Sequence, residues 1–339
     1  MNPIQKEDIQ QFATKFALAN DLVSSKFLIT GATGLIGSTL VHCLLALNSE
    51  IHIVCPVRDI QKAKEIYKDA YEKIAFVAGD LMEYLNSLTS NDYFQYIIHC
   101  ASPTSGKYVV EHPVETFELA IESTRALLKH AQLTKARGIV YVSSLEYYGQ
   151  NFDDHLITED FLGHVDNSNS RSSYPLAKRA AEYLCNAYAK EYGVNVKVAR
   201  LTQTFGAGVS AYDNRVFAQF ARSVIAGTDI VMHTKGESAK PYCYTTDCAS
   251  AILTILLKGS NGEAYNVANQ DTYISIFDMA CLLRDNFNSS IKVVIEEHPE
   301  MGYAPVTKLH LSTEKLLNLG WKPLYGLKGM YDRLIKSIK

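Results

Sequence analysis

Residues 26–37 read Lys-Phe-Leu-Ile-Thr-Gly-Ala-Thr-Gly-Leu-Ile-Gly, an apolar run that passes directly into three regularly spaced glycines. The apolar residues 27–30 predict a buried strand, and residues 35–47 predict the helix that follows it. Glycine at these three points permits a tight turn, lets the backbone approach a pyrophosphate, and allows the helix to pack closely on the strand. The stretch therefore predicts the strand–turn–helix unit of a dinucleotide-binding domain.

Beyond this turn, predicted strands alternate with predicted helices as far as residue 201. Strands are predicted at residues 51–55, 74–78, 96–100, 139–143 and 194–201, and helices at residues 61–70, 114–130 and 174–192. Continuous apolar strands separated by helices of this length are typical of a parallel sheet that is covered on both faces. The sequence therefore predicts an α/β fold with a Rossmann-type doubly wound parallel sheet and a smaller C-terminal α/β substrate lobe.

The pattern divides the chain into three predicted segments. Residues 1–25 are predicted to form an N-terminal amphipathic helical extension, with the helix itself at residues 3–20. Residues 26–205 are predicted to form the dinucleotide-binding Rossmann domain, and residues 206–339 a substrate-binding lobe whose elements interleave with it. Helices in this lobe are predicted near residues 215–226, 248–258, 275–286 and 313–319. The polar, turn-rich residues 150–173 predict a loop at the site.

The composition argues against several kinds of partner. The 339-residue chain has a formal net charge of −3, so it offers no basic surface for nucleic acid. No apolar run reaches the roughly 18 residues needed to span a membrane, and early charged residues argue against a secretory leader. The seven cysteines are scattered without a C-x-x-C pair, which is typical of free thiols in a reducing compartment and predicts no metal site. We therefore expect a cytoplasmic protein with no nucleic-acid, membrane or metal partner.

The segment Tyr174-Pro-Leu-Ala-Lys178 puts a phenol and an ammonium on the same face of a predicted helix. A phenol has an ordinary pKa of about 10 and is a poor base at neutral pH. A lysine ammonium beside it, and an oxidised nicotinamide nearby, would favour the phenolate. Tyr174 would then accept the proton of a substrate hydroxyl while hydride leaves the same carbon. Ser144, at the end of a predicted strand, would hydrogen-bond that hydroxyl; Ser143 takes this role if the strand register differs by one residue.

The end of the second predicted strand bears on the choice of dinucleotide. An acidic side chain there would accept hydrogen bonds from the ribose hydroxyls of NAD. Residues 55–59 instead read Cys-Pro-Val-Arg-Asp, and the guanidinium of Arg58 suits a 2′-phosphate, with Lys62 or Lys64 as further cations. The sequence therefore favours NADP. An Asp59 turned inward, or an Arg58 held in solvent, would leave NAD as the alternative.

These motifs and several others resemble those of the extended short-chain dehydrogenases/reductases. The resemblance is to the NAD-dependent epimerase/dehydratase family, which acts on nucleotide-activated sugars, and it covers about residues 26–335 of the chain. Besides the glycine turn and the Tyr–Lys pair, it rests on residues 79–81, 99–103, 142–149, 200–206, 244–247, 264–267 and 319–323. The nearest likeness is to UDP-glucuronate decarboxylases and dTDP-glucose 4,6-dehydratases.

The resemblance implies a chemistry and a set of site residues. The implied enzyme holds NAD(P) tightly, oxidises a nucleotide sugar at C4, alters the keto intermediate and usually returns the hydride. The implied catalytic residues are Ser144, Glu146, Tyr174 and Lys178. The implied cofactor contacts are Gly31, Thr33, Gly34, Leu35, Ile36, Gly37, Arg58, Asp80 and Leu81 (at the adenine), Ala101 and Ser102 (at the nicotinamide), Tyr174 and Lys178. The implied substrate contacts are Ser102, Thr104, Ser144, Gln203, Arg215 and Lys240. A homodimer through the helices predicted at residues 114–130 and 174–192 is also implied.

Some positions depart from the family's pattern. Leu145 replaces an acidic residue and cannot donate the proton that 4,6-dehydration uses, whereas Glu146 is kept as a base for a step at C5. Gln203 replaces an asparagine that contacts the diphosphate, and Lys240 replaces an arginine, which exchanges a bidentate fork for a point charge. Ala120 stands in place of a helix asparagine. These departures predict an unusual substrate or step within the family.

Two other functions remain open at this point. A net NADPH-dependent reductase of a small carbonyl compound would agree with Arg58, whereas the polar residues 150–173 and Lys240 fit a phosphorylated substrate better. A non-catalytic dinucleotide-sensing protein would not need the complete catalytic set. His99 and His164 are predicted to be packing or loop residues rather than ligands.

Overall fold

The computed structural model describes residues 1–47, 50–103, 105–298 and 305–339. Its strands are β1 (Lys26–Thr30), β2 (His52–Val57), β3 (Ala75–Ala78), β4 (Tyr96–His99), β5 (Gly138–Ser144), β6 (Leu156–Ile157), β7 (Val196–Leu201), β8 (Gln203–Phe205), β9 (Ile230–Met232), β10 (Ala239–Tyr244), β11 (Ala264–Val267), β12 (Asn269–Ser275), β13 (Val293–Ile295) and β14 (His310–Leu311). Its helices are α1 (Pro3–Lys15), α2 (Leu35–Ala46), α3 (Ile60–Tyr67), α4 (Leu81–Ser87), α5 (Gly106–Glu111), α6 (Pro113–Thr134), α7 (Ser173–Tyr192), α8 (Val216–Ala226), α9 (Thr245–Lys258), α10 (Ile276–Phe287), α11 (Glu314–Asn318) and α12 (Leu327–Ile338).

Seven parallel strands form the large sheet, in the order β11–β7–β5–β4–β1–β2–β3. Phe27 of β1, for example, lies beside Ile53 of β2 and Tyr96 of β4. The chain order reverses at β1, and the crevice outside the carboxyl ends of β1 and β4 is where such sheets bind ligands. The predicted fold class, a Rossmann-type doubly wound parallel sheet, is confirmed.

Two apolar layers enclose the large sheet, because alternate residues of a strand point to opposite faces. Phe27 and Ile29 of β1 join the layer formed with α2 and α9, whereas Leu28 joins the layer formed with α6 and α7. All three side chains are fully buried, and burial of each stabilises the fold by about 1.5–3 kcal/mol before the cost of ordering the chain. With both faces covered, the strand ends are the place for a site.

The smaller lobe is built around a sheet with the order β12–β10–β8. β8 and β10 are parallel, and β12 is antiparallel to β10. Phe205 of β8 packs against α12, with its ring 4.9 Å from the ring of Tyr331. The chain after residue 206 also supplies β11 to the large sheet and α9 to its helical layer. The three segments remain predictions.

The N-terminal extension forms α1, which is shorter than the sequence predicts. Phe16 takes an extended backbone, which ends the helix, and its ring stacks on Phe12 at 5.0 Å. The carboxylate of Asp8 is buried, where it accepts a hydrogen bond from the Tyr244 hydroxyl at 2.6 Å and pairs with Arg333. These contacts fasten α1 to β10 and α12.

Some elements differ from the prediction. Helices α4, α5 and α12 lie outside the helices predicted from the sequence, and the first two are only seven and six residues long. Residues 150–173 are mostly irregular, but they include β6, which pairs with β14. A two-residue strand is too short to show alternation of apolar and polar side chains. Among the described residues, no helix has the length and apolar character needed to cross a membrane.

Candidate active site

The glycine turn between β1 and α2 leaves no room for a side chain. Gly31 has a φ of +72°, and a Cβ there would lie 2.7 Å from the backbone nitrogen of Ala101. A Cβ at Gly37 would collide with the carbonyl oxygen of Gly31, so α2 begins directly against the turn. Both positions therefore require glycine.

The amino end of α2 suits an anion. Gly34 is the N-cap of this helix, and no side chain caps it. The backbone N–H groups of the first turn, including those of Leu35 and Ile36, therefore carry the partial positive charge of the helix terminus. Thr33 lies in the same turn. A pyrophosphate fits here because the glycines let it approach the backbone, so these residues fit a dinucleotide.

Two charged residues, Arg58 and Asp59, directly follow β2. Arg58 is exposed and comes directly after the last strand residue, Val57. Asp59 accepts a hydrogen bond from the Lys62 N–H at 2.9 Å and thereby caps α3. The inward-turned aspartate that the sequence left open is therefore not the arrangement found.

The next strand end carries Asp80 and Leu81. The carboxylate of Asp80 is exposed and accepts hydrogen bonds from the N–H groups of Met82 and Glu83 at 2.8 and 3.2 Å, so it caps α4. Leu81 begins α4 and packs against the apolar layer around α6 and α7. Both residues lie at the outer edge of the large sheet, where β3 is the last strand.

The candidate catalytic group comes together at the carboxyl ends of β4 and β5. The hydroxyls of Ser144 and Ser102 lie close enough to the phenol of Tyr174 to lower its pKa. The Oγ of Ser144 accepts a hydrogen bond from the N–H of Glu146 at 3.2 Å, and the Glu146 side chain is exposed. β4 and β5 are neighbours in the sheet, so their ends bring both hydroxyls to one phenol.

Lys178 is buried, and its ammonium lies 5.4 Å from the centre of the Tyr174 ring. Its Nζ donates a hydrogen bond to the carbonyl oxygen of Val142 at 3.0 Å. Burial lowers the pKa of Lys178 to about 8. Burial and then the charge of Glu146 raise the pKa of Tyr174 to about 12, although the two serine hydroxyls oppose this. In the chain alone, desolvation of the phenolate outweighs the nearby groups, and the acidic phenol, which also requires the charge of an oxidised nicotinamide, stays a prediction.

Ser143, the alternative serine, contacts a buried ion pair that Glu182 forms with Arg200. Ser143 donates a hydrogen bond to Glu182, and Glu182 pairs with Arg200 at 2.8 Å. The Ser143 hydroxyl therefore belongs to this ion pair, and Ser144 is the serine at the phenol. Glu182 was not predicted, although its position one helical turn after Lys178 indicates that both side chains share a face.

His99 is a buried residue that contacts a hydroxyl group with each of its ring nitrogens. Its Nδ1 lies 2.7 Å from Thr30 Oγ1, and its Nε2 lies 3.0 Å from Ser123 Oγ. Burial, and then the charge of Lys178, lower the pKa of His99 to about 3, so the ring is neutral at physiological pH. Thr30 Oγ1 also accepts a hydrogen bond from the Ala101 N–H at 3.2 Å, so this chain of contacts supports the turn after β4.

Three of the predicted substrate contacts, Gln203, Arg215 and Lys240, lie in the smaller lobe. Gln203 begins β8 and Lys240 lies on the parallel neighbour β10, and both side chains are half-buried. Arg215 is exposed and forms an ion pair with Asp213 at 2.5 Å, so its charge is partly neutralised. Thr104 lies outside the described residues.

Leu145 and Ala120, two residues that depart from the family's pattern, are both buried. Leu145 is buried in a small cluster with Tyr148, Ile157 and Leu311. Ala120 is buried on α6. Neither side chain can donate or accept a proton.

A Rossmann-type sheet with a Ser–Tyr–Lys group beside a glycine turn defines a short-chain dehydrogenase/reductase. The sequence model of the NAD dependent epimerase/dehydratase family matches residues 27–268 of this chain, and the chain therefore belongs to this family. The resemblance inferred from the motifs is thereby confirmed.

Individual known proteins and solved structures are similar to this chain over most of its length. UDP-glucuronic acid decarboxylase 1 of Danio rerio is 27% identical over 311 residues, which are 92% of this chain and 72% of the relative. The structure of UDP-glucose 4-epimerase from Thermotoga maritima with UDP-glucose has a TM-score of 0.80 at 22% identity, covering 92% of this chain and 98% of that one. The dTDP-glucose 4,6-dehydratase of Bacillus anthracis in complex with NAD has a TM-score of 0.75 at 21% identity, covering 92% and 96%. The two structural likenesses establish the fold.

Proposed function

We propose that this protein is a nucleotide-sugar enzyme that oxidises its substrate transiently at C4, with NAD(P) tightly bound and Tyr174 as the base. The observation that carries the proposal is the Lys178 ammonium 5.4 Å from the centre of the Tyr174 ring, on the sheet that bears the glycine turn. The names of the relatives support the substrate class, because they are a UDP-glucuronic acid decarboxylase and an epimerase bound to UDP-glucose.

Because the pKa of Tyr174 is high in the chain alone, the phenol can act as a base only where other groups stabilise the phenolate. At a pKa of about 12, only about 10⁻⁵ of the phenols would be ionised at pH 7. When bound in its oxidised form, the dinucleotide supplies the hydride acceptor and a positive charge that favours the phenolate. Ser144 and Ser102 act in the same direction, since both lower the pKa of Tyr174. Tyr174 then accepts the proton of the C4 hydroxyl, which Ser144 holds in position.

Leu145 and Glu146 distinguish between the reactions that can follow C4 oxidation in this family. Dehydration at C5 and C6 needs an acid for the departing hydroxyl, and the buried apolar Leu145 supplies none. Loss of CO₂ from a 4-keto uronic acid needs no such acid, because the electrons of the broken C5–C6 bond pass to the C4 ketone as an enolate. The enolate then takes one proton at C5, for which the exposed Glu146 is our candidate donor. We therefore propose decarboxylation of a nucleotide-activated uronic acid.

The test is incubation of purified protein with UDP-, dTDP-, GDP- and CDP-linked sugars and uronic acids, without added cofactor, followed by mass spectrometry. The proposal predicts a product lighter by one CO₂ from one of the uronic acids. Loss of water or an isomer of unchanged mass would keep C4 oxidation but overturn decarboxylation. Strict dependence on added NADPH, with net reduction of a carbonyl, would favour the reductase instead.

Glu146→Gln is expected to spare hydride removal and block protonation at C5. Product formation should fall by roughly 10²-fold or more, while the enzyme-bound dinucleotide accumulates in its reduced form during turnover. Stopped-flow absorbance of the cofactor and mass spectrometry of the product measure the two events separately. The control is Glu50→Gln, because Glu50 is exposed and precedes β2, at the amino ends of the strands. Full turnover by Glu146→Gln would remove this residue from the proposal.

We also propose that Arg58 gives the site a preference for NADP over NAD. The support is its exposed position after β2, with the neighbouring Asp59 engaged as a helix cap. A charge-assisted hydrogen bond to the 2′-phosphate is worth about 1.5–3 kcal/mol. Arg58→Ala should therefore weaken NADP⁺ binding by about 10–100-fold and leave NAD⁺ binding nearly unchanged, as measured by calorimetry. Equal effects on both, or release of only NAD from the denatured protein, would contradict the preference.

The homodimer stays a prediction, and exposed apolar side chains on the implied helices support it. Val114 and Phe117 of α6 and Tyr183 of α7 are exposed, and Tyr183 is 72% exposed. Such side chains are the kind that a second copy covers. We propose that α6 and α7 pair with the same helices of a second chain.

A further inference from the structure

Two short strands of the smaller lobe bring three potential metal ligands together. β9 and β13 are parallel neighbours, with Met232 beside Ile295. The pairing continues past the strands: the N–H of Glu296 donates to the Met232 carbonyl at 2.8 Å, and the N–H of His298 donates to the His233 carbonyl at 3.2 Å. The backbone therefore fixes the segment after β13 against the residue that follows β9.

The side chains of this segment converge. Glu296 and His298 are two residues apart on extended chain, so they lie on the same side of it. The rings of His233 and His298 lie edge to face, with 5.1 Å between their centres. One imidazole nitrogen from each histidine and one carboxylate oxygen of Glu296 all lie within 4.8 Å of one another. His233 and Glu296 are exposed and His298 is half-buried, so an ion can reach the group from solvent.

The donor set has a clear chemical preference. Two imidazole nitrogens and one carboxylate oxygen suit zinc and its neighbours in the first transition series, whereas magnesium and calcium prefer oxygen ligands only. Zinc binds such ligands at about 2.0–2.2 Å, so the three atoms must draw somewhat closer around an ion. The exposed side chains of His233 and Glu296 can make that adjustment by rotation, since the backbone already holds their chain segments together.

We propose that His233, Glu296 and His298 form a binding site for a divalent transition-metal ion of the zinc class. Three protein ligands leave a fourth position for water or a small anionic ligand. The sequence did not predict a metal site, because the cysteines show no ligand spacing and the two histidines are far apart along the chain. The site is independent of the proposed reaction, since none of its residues has a role there.

The test is zinc binding to the full chain without a histidine tag, freed of metal by chelation. In competition with a chromogenic chelator, the protein should bind one equivalent of Zn²⁺. Loss of an outer-shell partner typically costs 10–100-fold in metal affinity. His233→Asn, Glu296→Gln and His298→Asn each remove a ligand directly and should weaken binding by at least about tenfold. His52→Asn, an exposed histidine at the start of β2, is the control and should bind as the unaltered chain does.

A second readout keeps the test independent of folding defects. Co²⁺ bound in place of Zn²⁺ should give visible absorption bands typical of a four-coordinate nitrogen–oxygen site, and the triple variant should lack them. Thermal melting of the metal-free proteins should show equal stability for the variants and the unaltered chain. An absence of stoichiometric binding, or binding that the triple variant retains, would overturn the proposal.

Discussion

Replacing Tyr174 with phenylalanine is expected to lower kcat by roughly 10²–10⁴-fold while the fold and dinucleotide binding are retained. The variant keeps the ring and loses only the phenol oxygen, whose pKa the nearby hydroxyls of Ser144 and Ser102 lower. Without that oxygen no group accepts the proton of the substrate hydroxyl, so hydride cannot leave the same carbon. Single-turnover absorbance of the bound dinucleotide measures the loss directly.

The matched control for this change is Tyr192→Phe, which removes the hydroxyl of an exposed tyrosine at the end of the same helix. It should turn over at the rate of the unaltered enzyme. Both variants should bind the dinucleotide equally, as measured by calorimetry. A Tyr174→Phe enzyme that retains more than a tenth of the normal rate would show that another group is the base.

The second large effect is expected in stability. Glu182→Gln should lower the free energy of unfolding by about 3–5 kcal/mol, because it leaves the Arg200 guanidinium buried without its counter-charge. Arg200 donates to both carboxylate oxygens of Glu182, at 2.8 to 3.2 Å. Burial alone raises the pKa of Glu182, and the charge of Arg200 works against that increase. Urea unfolding at neutral pH measures the change.

Glu191→Gln, an exposed carboxylate on the same helix, is the control for stability and should change it by less than about 0.5 kcal/mol. Glu182 joins α7, which carries Tyr174 and Lys178, to β7, and Ser143 joins it to β5. Activity of the folded variant should therefore also fall, through displacement of the phenol. A Glu182→Gln protein as stable as the unaltered chain would mean that the ion pair contributes no net stabilisation.

The sequence predicted the fold well because its signals are local. The glycine turn and the apolar strands needed only their neighbours in the chain to be interpreted, and the seven parallel strands confirm the class. The elements that differ depend on distant partners. β6 exists only because it pairs with β14. α1 ends earlier than predicted because Phe16 takes an extended backbone. The assignment of β11 to the large sheet likewise depends on its pairing with β7.

Motif order predicted Ser144 and Tyr174 at one place, and the family resemblance implied Ser102 beside them. The three residues lie near one another, and their roles stay predictions. The raised pKa of Tyr174 in the chain alone was not predicted, because spacing shows which charges are near and not how deeply the phenol is buried. The His233, Glu296 and His298 group had no sequence signal, since its ligands come from two strands that only the fold pairs.

The most direct test of the account follows the hydrogen at C4. A nucleotide-linked uronic acid that the enzyme converts is prepared with deuterium at C4, and the product is analysed by mass spectrometry and NMR. Transient oxidation with return of the same hydride predicts a product that has lost CO₂ and still carries deuterium at C4, with a primary isotope effect on hydride removal. Conversion without any isotope effect, or a net change in the redox state of the dinucleotide after complete turnover, would contradict it.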